Sequence, residues 1–381
     1  MPNTAVKKPE PVETGEFNII WGDLGNPWDA YGSTATDIRI HRHRGERVMR
    51  RYELVGRRDI RPVADAPVPT PGPLEVLVRV RACTVCNRSD LAYFHYYGLR
   101  AHASQGCFGH EIAGEVEAIG EGVRRVVPGQ RVFVRTPLTT GYAEFALARE
   151  IAVGALPDSV PFEQGAILQL LPLAVHATRG VRLGDRVAIV GQGPVGQMAL
   201  RIAVLRGAAE VVAVDLDDWR LARSTRAGAD AVHRVDGSAE QLASVGNDFD
   251  VAVDAVGTPT TVNACVALVR QNGLVVLLGT HHVDTHVTLD LVTWERKGLR
   301  VHSSAEPLDT ARAEALAVAE RIAHRRPEVL RLPELLTHTY PLDDLPKAME
   351  QLSASRALYP DAERAPYEGP PPETLKVAIV P

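Results

Sequence analysis

The second half of the chain alternates short apolar runs with stretches in which apolar residues recur at helical spacing. Residues 311–324 predict a long helix by that spacing. Because strands that alternate with helices form a parallel sheet covered on both faces, this half predicts a doubly wound α/β domain. The apolar runs that predict its strands are residues 187–190, 211–214, 251–255, 274–278 and 299–302.

The first half of the chain shows the two-residue alternation of a half-buried sheet instead. Glycine and proline separate its runs, which is typical of a compact, mostly β unit. Residues 345–352 predict a short helix, and residues 1–46 follow neither period and are interpreted as an N-terminal extension. The strands that belong to the β unit are predicted at residues 74–81, 111–119, 131–134, 335–340 and 375–380.

Composition narrows the range of partners. The 381 residues are 45% apolar and carry a formal net charge of −5, which gives no reason to expect nucleic acid or a membrane as partner. No apolar run reaches the roughly 18 residues of a membrane-spanning helix, and no signal-peptide pattern opens the chain. We therefore expect a cytoplasmic protein. The four cysteines are too few for a disulfide framework.

A glycine-rich turn carries the clearest functional signal. Residues 191–196 read Gly-Gln-Gly-Pro-Val-Gly, after the apolar run 186–190 and before a helical stretch at 197–206. Asp215 ends the next apolar run. A strand, a glycine turn, a helix and an acid after the second strand together form the fingerprint of a dinucleotide site.

Each part of this fingerprint has a physical role. Gly191 allows a tight turn, Gly193 lets the backbone approach a pyrophosphate, and Gly196 lets the helix and strand pack closely. Pro194 and Val195 open the helix, whose N-terminal amides then face the phosphates. The sequence therefore predicts that all five residues contact the cofactor.

Asp215 indicates which dinucleotide is bound. A carboxylate at this point accepts hydrogen bonds from a ribose 2′-hydroxyl and repels a 2′-phosphate, which favours NAD over NADP. Arg220 is a further cofactor-binding candidate, and its positive charge leaves NADP open. Val256 and the pair Gly279-Thr280 follow two later strands. We expect them to face the cofactor, because such sheets bind ligands at the carboxyl ends of their strands.

Three segments of the first half combine chemically reactive side chains with turn residues. They are Val85-Cys86 with Ser89-Asp90, then Gly109-His110-Glu111, and then Pro128-Gly129-Gln130-Arg131-Val132. Together with the last strand, 375–380, they resemble the catalytic domain of the medium-chain dehydrogenase/reductase family. That family includes zinc-dependent alcohol, polyol and threonine dehydrogenases.

The resemblance covers residues 47–381 and implies two domains with an active site in the cleft between them. Residues 47–176 are expected to form the first part of a GroES-like, mostly β catalytic domain. Residues 177–307 are expected to form a Rossmann NAD-binding domain, and residues 308–381 to return to the catalytic domain.

The resemblance also implies one catalytic zinc ion. Cys86 and His110 fall on positions that ligate the metal in the family, and Glu111 on a position that ligates it in the polyol branch. A thiolate, an imidazole and a carboxylate suit zinc, and an open fourth position makes such a site catalytic. Zinc then polarises an alcohol oxygen while hydride passes to the nicotinamide. Ser89 falls on the proton-relay hydroxyl, so Cys86, Ser89 and His110 are the predicted catalytic residues.

Gln169 is the fourth residue of the predicted metal site and the one whose side chain suits zinc least. It stands where the family often has Cys or Glu, and a neutral amide is a poor zinc ligand that suits hydrogen bonding to a ligand better. Cys83, Cys107 and Cys265 are interpreted as small buried residues. The four-cysteine lobe of many relatives has no counterpart after residue 134, so no structural zinc is expected.

These features predict an oxidoreductase that transfers hydride between NAD and a secondary alcohol or ketone. The resemblance favours a polyol, sugar or cyclitol as the small-molecule substrate, and a homodimer or homotetramer as the assembly. Two alternatives stay open. Gln169 favours a zinc-free relative, either an NAD(P)-dependent reductase or a redox-neutral enzyme. The other alternative is an NAD-binding sensor without catalysis, against which Cys86, Ser89 and His110 argue.

Overall fold

A computed structural model of the protein describes residues 47–97, 108–279, 286–304, 309–354 and 373–381. The predictions for residues 1–46, for Cys107, for Thr280 and for the domain boundary at residue 307 lie outside the described residues. Over the described ranges, no helix combines the length and the apolar character that crossing a membrane requires.

The described residues form strands and helices as follows. The strands are β1 Val48–Gly56, β2 Asp59–Pro67, β3 Glu75–Thr84, β4 Glu111–Ile119, β5 Arg131–Val134, β6 Phe145–Arg149, β7 Val153–Ala155, β8 Arg186–Val190, β9 Glu210–Asp215, β10 Ala231–Arg234, β11 Phe249–Asp254, β12 Val269–Leu277, β13 Arg300–Ser303, β14 Leu336–Pro341 and β15 Lys376–Val380. The helices are α1 Ser89–His95, α2 Phe162–Gly165, α3 Leu170–Ala177, α4 Pro194–Leu205, α5 Asp218–Arg226, α6 Ala239–Ala243, α7 Pro259–Leu268, α8 Leu291–Lys297, α9 Asp309–Arg325, α10 Pro327–Leu330, α11 Leu332–Leu335 and α12 Leu345–Ala354.

Strands β8 to β13 form a six-stranded parallel sheet in the order β10-β9-β8-β11-β12-β13. The predicted doubly wound α/β fold is confirmed. The strand order reverses beside β8, whose neighbours are β9 and β11. In open α/β sheets the ligand crevice lies outside the carboxyl ends of the strands at such a point. The glycine turn follows β8 directly, so it lies in that crevice.

A second, seven-stranded path makes up the mostly β part, in the order β14-β15-β3-β4-β5-β7, with β6 paired to β3. The predicted GroES-like architecture is confirmed as well. The C-terminal strand β15 runs antiparallel to β3, with Ala378 opposite Thr84. Thr84 in turn lies opposite Glu111 in β4. The end of the chain therefore reaches the strands that carry the predicted metal site.

One apolar core connects the two sheets. Leu171 lies in α3, which leads towards the parallel sheet, and Ile167 lies in the helical turn just before α3. Both side chains are fully buried. They belong to the same buried cluster as Met198 of α4 and Leu316 of α9. Removing a large apolar side chain from water contributes about 1.5–3 kcal/mol. This shared cluster therefore fixes the parallel sheet against the β part.

In the parallel sheet, two strands differ most from the sequence-based expectation. Strand β12 begins at Val269, five residues before the predicted 274–278. The prediction missed its first part because that part carries exposed polar side chains and because Asn272 has a left-handed φ of 59°. Strand β10 was absent from the prediction. It is a short edge strand with three exposed residues, so no apolar alternation marks it.

Candidate active site

The glycine turn is shaped by close backbone contacts. Gly191 has a φ of 93°, and a Cβ there would lie 2.4 Å from Cγ2 of Val256. A Cβ on Gly196 would lie 1.9 Å from the carbonyl oxygen of Gly191. Helix α4 begins at Pro194, and its N-cap Gly193 has no side chain that would cap the helix. The first amides of α4 are therefore available to an anion, as a pyrophosphate requires.

Asp215 holds the turn from the neighbouring strand. Its Oδ2 accepts a hydrogen bond from the backbone N–H of Gln192 at 2.5 Å, and its Oδ1 accepts one from Asp217 at 3.0 Å. The guanidinium of Arg220 approaches Oδ1 at 3.7 Å and the carboxylate of Asp217 at 3.2 Å. The structure thus brings the predicted acid and the predicted arginine together at the carboxyl end of β9.

The ends of β11 and β12 complete a narrow cradle. A Cβ on Gly279 would lie 2.6 Å from the backbone nitrogen of Val256. Asp254, which sequence reasoning missed, is fully buried and accepts hydrogen bonds from the backbone N–H groups of Val256 and Gly257 at 2.9 Å. An acid at the end of an apolar strand was the available signal. A Cβ at Gly191, Gly196 or Gly279 would collide with neighbouring protein atoms, so the glycines allow the close packing of turns that a dinucleotide site requires.

Cys86, His110 and Glu111 meet at the edge of the β part. Each offers one ligand atom, and the three atoms lie within 4.8 Å of one another. Glu111 opens β4 and is fully buried, whereas Cys86 and His110 are half-buried. A sulfur, a nitrogen and an oxygen donor at this spacing fit zinc. The partial exposure of two of them leaves access from outside.

Electrostatics couple the two half-buried donors. Burial would raise the pKa of the Cys86 thiol, but the adjacent His110 ring outweighs it and holds that pKa below its ordinary value. Burial would lower the pKa of His110, but Cys86, Asp90 and Glu111 raise it well above its ordinary value. The neighbouring ring thus favours the thiolate of Cys86, which is the form of cysteine that binds metals.

Asp90 organises the segment around these donors. Its carboxylate accepts hydrogen bonds from the backbone N–H of Cys86 at 2.9 Å, from that of Gly109 at 3.1 Å and from the hydroxyl of Tyr142 at 2.6 Å. Nδ1 of His110 lies 3.9 Å away. Burial raises the pKa of Asp90, although His110 and these hydrogen bonds oppose it. One fully buried acid thus anchors the residues flanking both motifs.

Lys376 is a site residue that sequence reasoning did not single out. It is 1% exposed, and its Nζ lies 2.5 Å from Oε2 of Glu111. It also donates to the carbonyl oxygen of Val85 at 2.8 Å, and the hydroxyl of Thr84 donates to the same Oε2. The only sequence signal was a lysine in an otherwise apolar C-terminal strand.

The remaining predicted residues occupy different surroundings. Ser89 opens α1, is buried, and its Oγ has no hydrogen-bond partner among the described residues. Gln169 is buried, donates through Nε2 to the carbonyl of Arg135 at 3.0 Å, and keeps an Oε1 that lacks a partner in the described part of the chain.

Comparison with known proteins identifies the family. The model of the alcohol dehydrogenase GroES-like domain matches residues 72–168, and that of the zinc-binding dehydrogenase matches residues 194–320. The chain belongs to the medium-chain dehydrogenase/reductase family. As a member of that family it is an alcohol dehydrogenase, with NAD and zinc as the implied cofactors.

Individual relatives of this dehydrogenase are distant. It is 29% identical to sorbitol dehydrogenase of Homo sapiens over 74% of this chain and 87% of that protein. Among solved structures, it resembles galactitol-1-phosphate dehydrogenase from Escherichia coli at 24% identity, with a TM-score of 0.69 over 88% of this chain and 99% of that one. A thermostable alcohol dehydrogenase from Pyrobaculum aerophilum is 25% identical, with a TM-score of 0.66 over 88% and 100%.

The contacts of Asp90 predict the effect of two substitutions. In Asp90→Asn, the amide nitrogen faces backbone donors that it cannot satisfy, so we expect a loss of about 2–4 kcal/mol in the free energy of unfolding. Tyr142→Phe removes one hydrogen bond from the same carboxylate and is expected to cost about 1 kcal/mol. Urea unfolding measures both. Equal losses in the two variants would contradict the anchoring role of Asp90.

Proposed function

We propose that the protein oxidises a secondary alcohol group of a polyol, sugar or cyclitol with NAD, using one zinc ion at Cys86, His110 and Glu111. The observation that carries the proposal is the cluster of those three donors in the same fold as the glycine cradle at residues 191–196. A cofactor-binding module without catalysis has no need of a half-exposed thiolate and imidazole.

The roles of the site residues follow from their surroundings. When bound, zinc supplies a Lewis acid that lowers the pKa of an alcohol oxygen. Ser89 is the proposed proton relay: its buried hydroxyl, which has no partner among the described residues, takes up the alcohol proton as it passes its own proton on to water. Asp90 holds the backbone at Cys86 and beside His110 in place. Gln169 donates through its amide nitrogen to the Arg135 carbonyl, and we assign its oxygen, which lacks a partner among the described residues, the role of a hydrogen-bond acceptor at the site.

The coenzyme roles rest on the cradle. Gly191, Gly193 and Gly196 hold the pyrophosphate at the start of α4, with Pro194 and Val195 in its first turn. Asp215 and Arg220 face the adenosine ribose, and Val256 with Gly279 lines the path to the nicotinamide. The polyol class is supported by the sorbitol dehydrogenase relative and by the Glu111 donor.

Metal removal tests this function against the zinc-free alternative, which the amide at Gln169 favours. We expect the purified enzyme to contain one zinc per chain. Chelator treatment or Cys86→Ser should reduce polyol oxidation at least a hundredfold while NAD binding, followed by fluorescence, stays unchanged. Cys265→Ser, at a buried thiol in the parallel-sheet part, is the matched control. Full activity without zinc would favour the alternative.

The Asp215 carboxylate predicts the coenzyme preference. We expect kcat/KM with NAD to exceed that with NADP, and Asp215→Ser to shift the ratio at least tenfold towards NADP because the repulsion of a 2′-phosphate is lost. A tenfold shift corresponds to about 1.4 kcal/mol. Asp217→Ser removes a neighbouring charge that also pairs with Arg220 and should change the ratio less. A native preference for NADP would contradict the assignment.

A homo-oligomer is the remaining part of the proposal. Strand β13 is the last strand of the parallel sheet, and Val301 on it is 41% exposed. Leu291 and Val292 of the nearby α8 are 74% and 54% exposed. Among the described residues no strand pairs with the outer side of β13, and such an edge with apolar neighbours favours pairing with a second copy. Light scattering should give the mass of a dimer or tetramer, and Val301→Lys should weaken the association.

The cytoplasmic location stays a prediction.

A further inference from the structure

The two carboxylate oxygens of Glu111 have different surroundings. Oε2 receives the ammonium of Lys376 at 2.5 Å and the hydroxyl of Thr84. Oε1 is buried and has no hydrogen-bond partner among the described residues. Buried carboxylate oxygens are nearly always paired, and leaving one unpaired costs about 1–3 kcal/mol or more. Oε1 is therefore the oxygen that a metal ion would engage.

Lys376 is itself held in one place. Its side chain is 1% exposed, and its Nζ donates to the carbonyl oxygen of Val85 at 2.8 Å. Val85 immediately precedes Cys86, and the strand that carries Lys376 is paired to β3. The ammonium thus connects the backbone beside one proposed ligand to the side chain of another. If the ammonium moved away from Glu111, it would lose its contacts with both Oε2 of Glu111 and the carbonyl oxygen of Val85.

We propose that Lys376 is a positioning residue that restricts Glu111 to one-oxygen coordination and so keeps the zinc site open. The proposal rests on the zinc function proposed above. Cys86, His110 and one oxygen of Glu111 make three ligands, which leaves a fourth tetrahedral position for an outside oxygen. If Oε2 were also free to ligate, the chain would fill that position itself, and closed sites of this kind are structural.

Lys376 also offsets charge. The donor set places a thiolate and a carboxylate close together, and the buried Asp90 adds a third acid. An ammonium bound to Oε2 removes part of the negative charge from Glu111, so its remaining oxygen is a weaker donor to the metal. Loss of the ammonium is therefore expected to strengthen metal retention while it weakens the binding of an outside ligand.

Cobalt substitution tests the proposal because Co²⁺ reports coordination number in its visible spectrum independently of turnover. The wild-type protein loaded with Co²⁺ should give the intense bands of a four-coordinate site. Lys376→Met should give the weaker bands of a higher-coordinate site, bind imidazole at least tenfold more weakly, and release metal to a chelator more slowly. Thr84→Val retains Lys376 and should keep the wild-type spectrum.

Two further variants keep the test decisive if Lys376→Met does not fold, which circular dichroism would show. Lys376→Gln also lacks the charge and should give the same spectral change. Lys376→Arg retains the charge and should preserve the four-coordinate spectrum, and a higher-coordinate spectrum in it would overturn the proposal. An unchanged spectrum and imidazole affinity in Lys376→Met would overturn it while leaving the zinc function intact. A wild-type protein that binds no Co²⁺ would contradict both the role of Lys376 and the zinc function.

Discussion

The burial of several charged groups around Glu111 is the constraint on which the β part of the structure depends. Glu111 and Asp90 are fully buried, and Lys376 is 1% exposed. Removing such groups from water costs several kcal/mol each unless they are paired and hydrogen-bonded. The pairing of β15 with β3, and of β3 with β4, places the lysine beside the glutamate. The C-terminal strand is thus required both for the sheet and for the charge balance of the site.

The same constraint explains why a divalent cation fits between Cys86 and His110. Among the described residues, three acidic groups lie together here, the carboxylates of Glu111 and Asp90 and the thiol of Cys86, with Lys376 and His110 beside them. In the proposed function, a zinc ion would add two positive charges at this point and would engage the oxygen of Glu111 that lacks a partner among the described residues. Metal binding and the stability of this corner are therefore linked, as they are for metal sites in general.

In the parallel sheet, the main constraint is that the backbone must come close to a charged ligand. Glycine meets this constraint because it has no Cβ: at Gly191, Gly196 and Gly279 a Cβ would lie within 2.6 Å of other atoms. Asp215 ties the glycine turn to β9 through the backbone N–H of Gln192, and Asp254 closes the turn after its own strand through the backbone N–H of Val256. The apolar cluster that includes Leu171 and Met198 fixes the sheet against the β part.

The fold was predictable because its signals are local. Apolar runs and glycine turns located β8, β9 and β11 to within two residues, and the family motifs located Cys86, His110 and Glu111. Lys376 was not predictable, because its meaning arises only when a strand from the end of the chain pairs with β3. Strand β10 was missed because three of its four side chains are exposed. Asp254 was missed although its contacts are local, because an acid at the end of an apolar strand does not by itself reveal that it binds the amides of the following turn. The predicted roles of Ser89 and Gln169 stay proposals.

X-ray absorption at the zinc edge tests the central claim most directly. For the purified protein with NAD, the account predicts one zinc per chain with one sulfur neighbour at about 2.3 Å and nitrogen and oxygen neighbours at about 2.0–2.2 Å. Two or more sulfur neighbours would place the metal on cysteines other than Cys86 alone. That result, or the absence of zinc, would contradict the account.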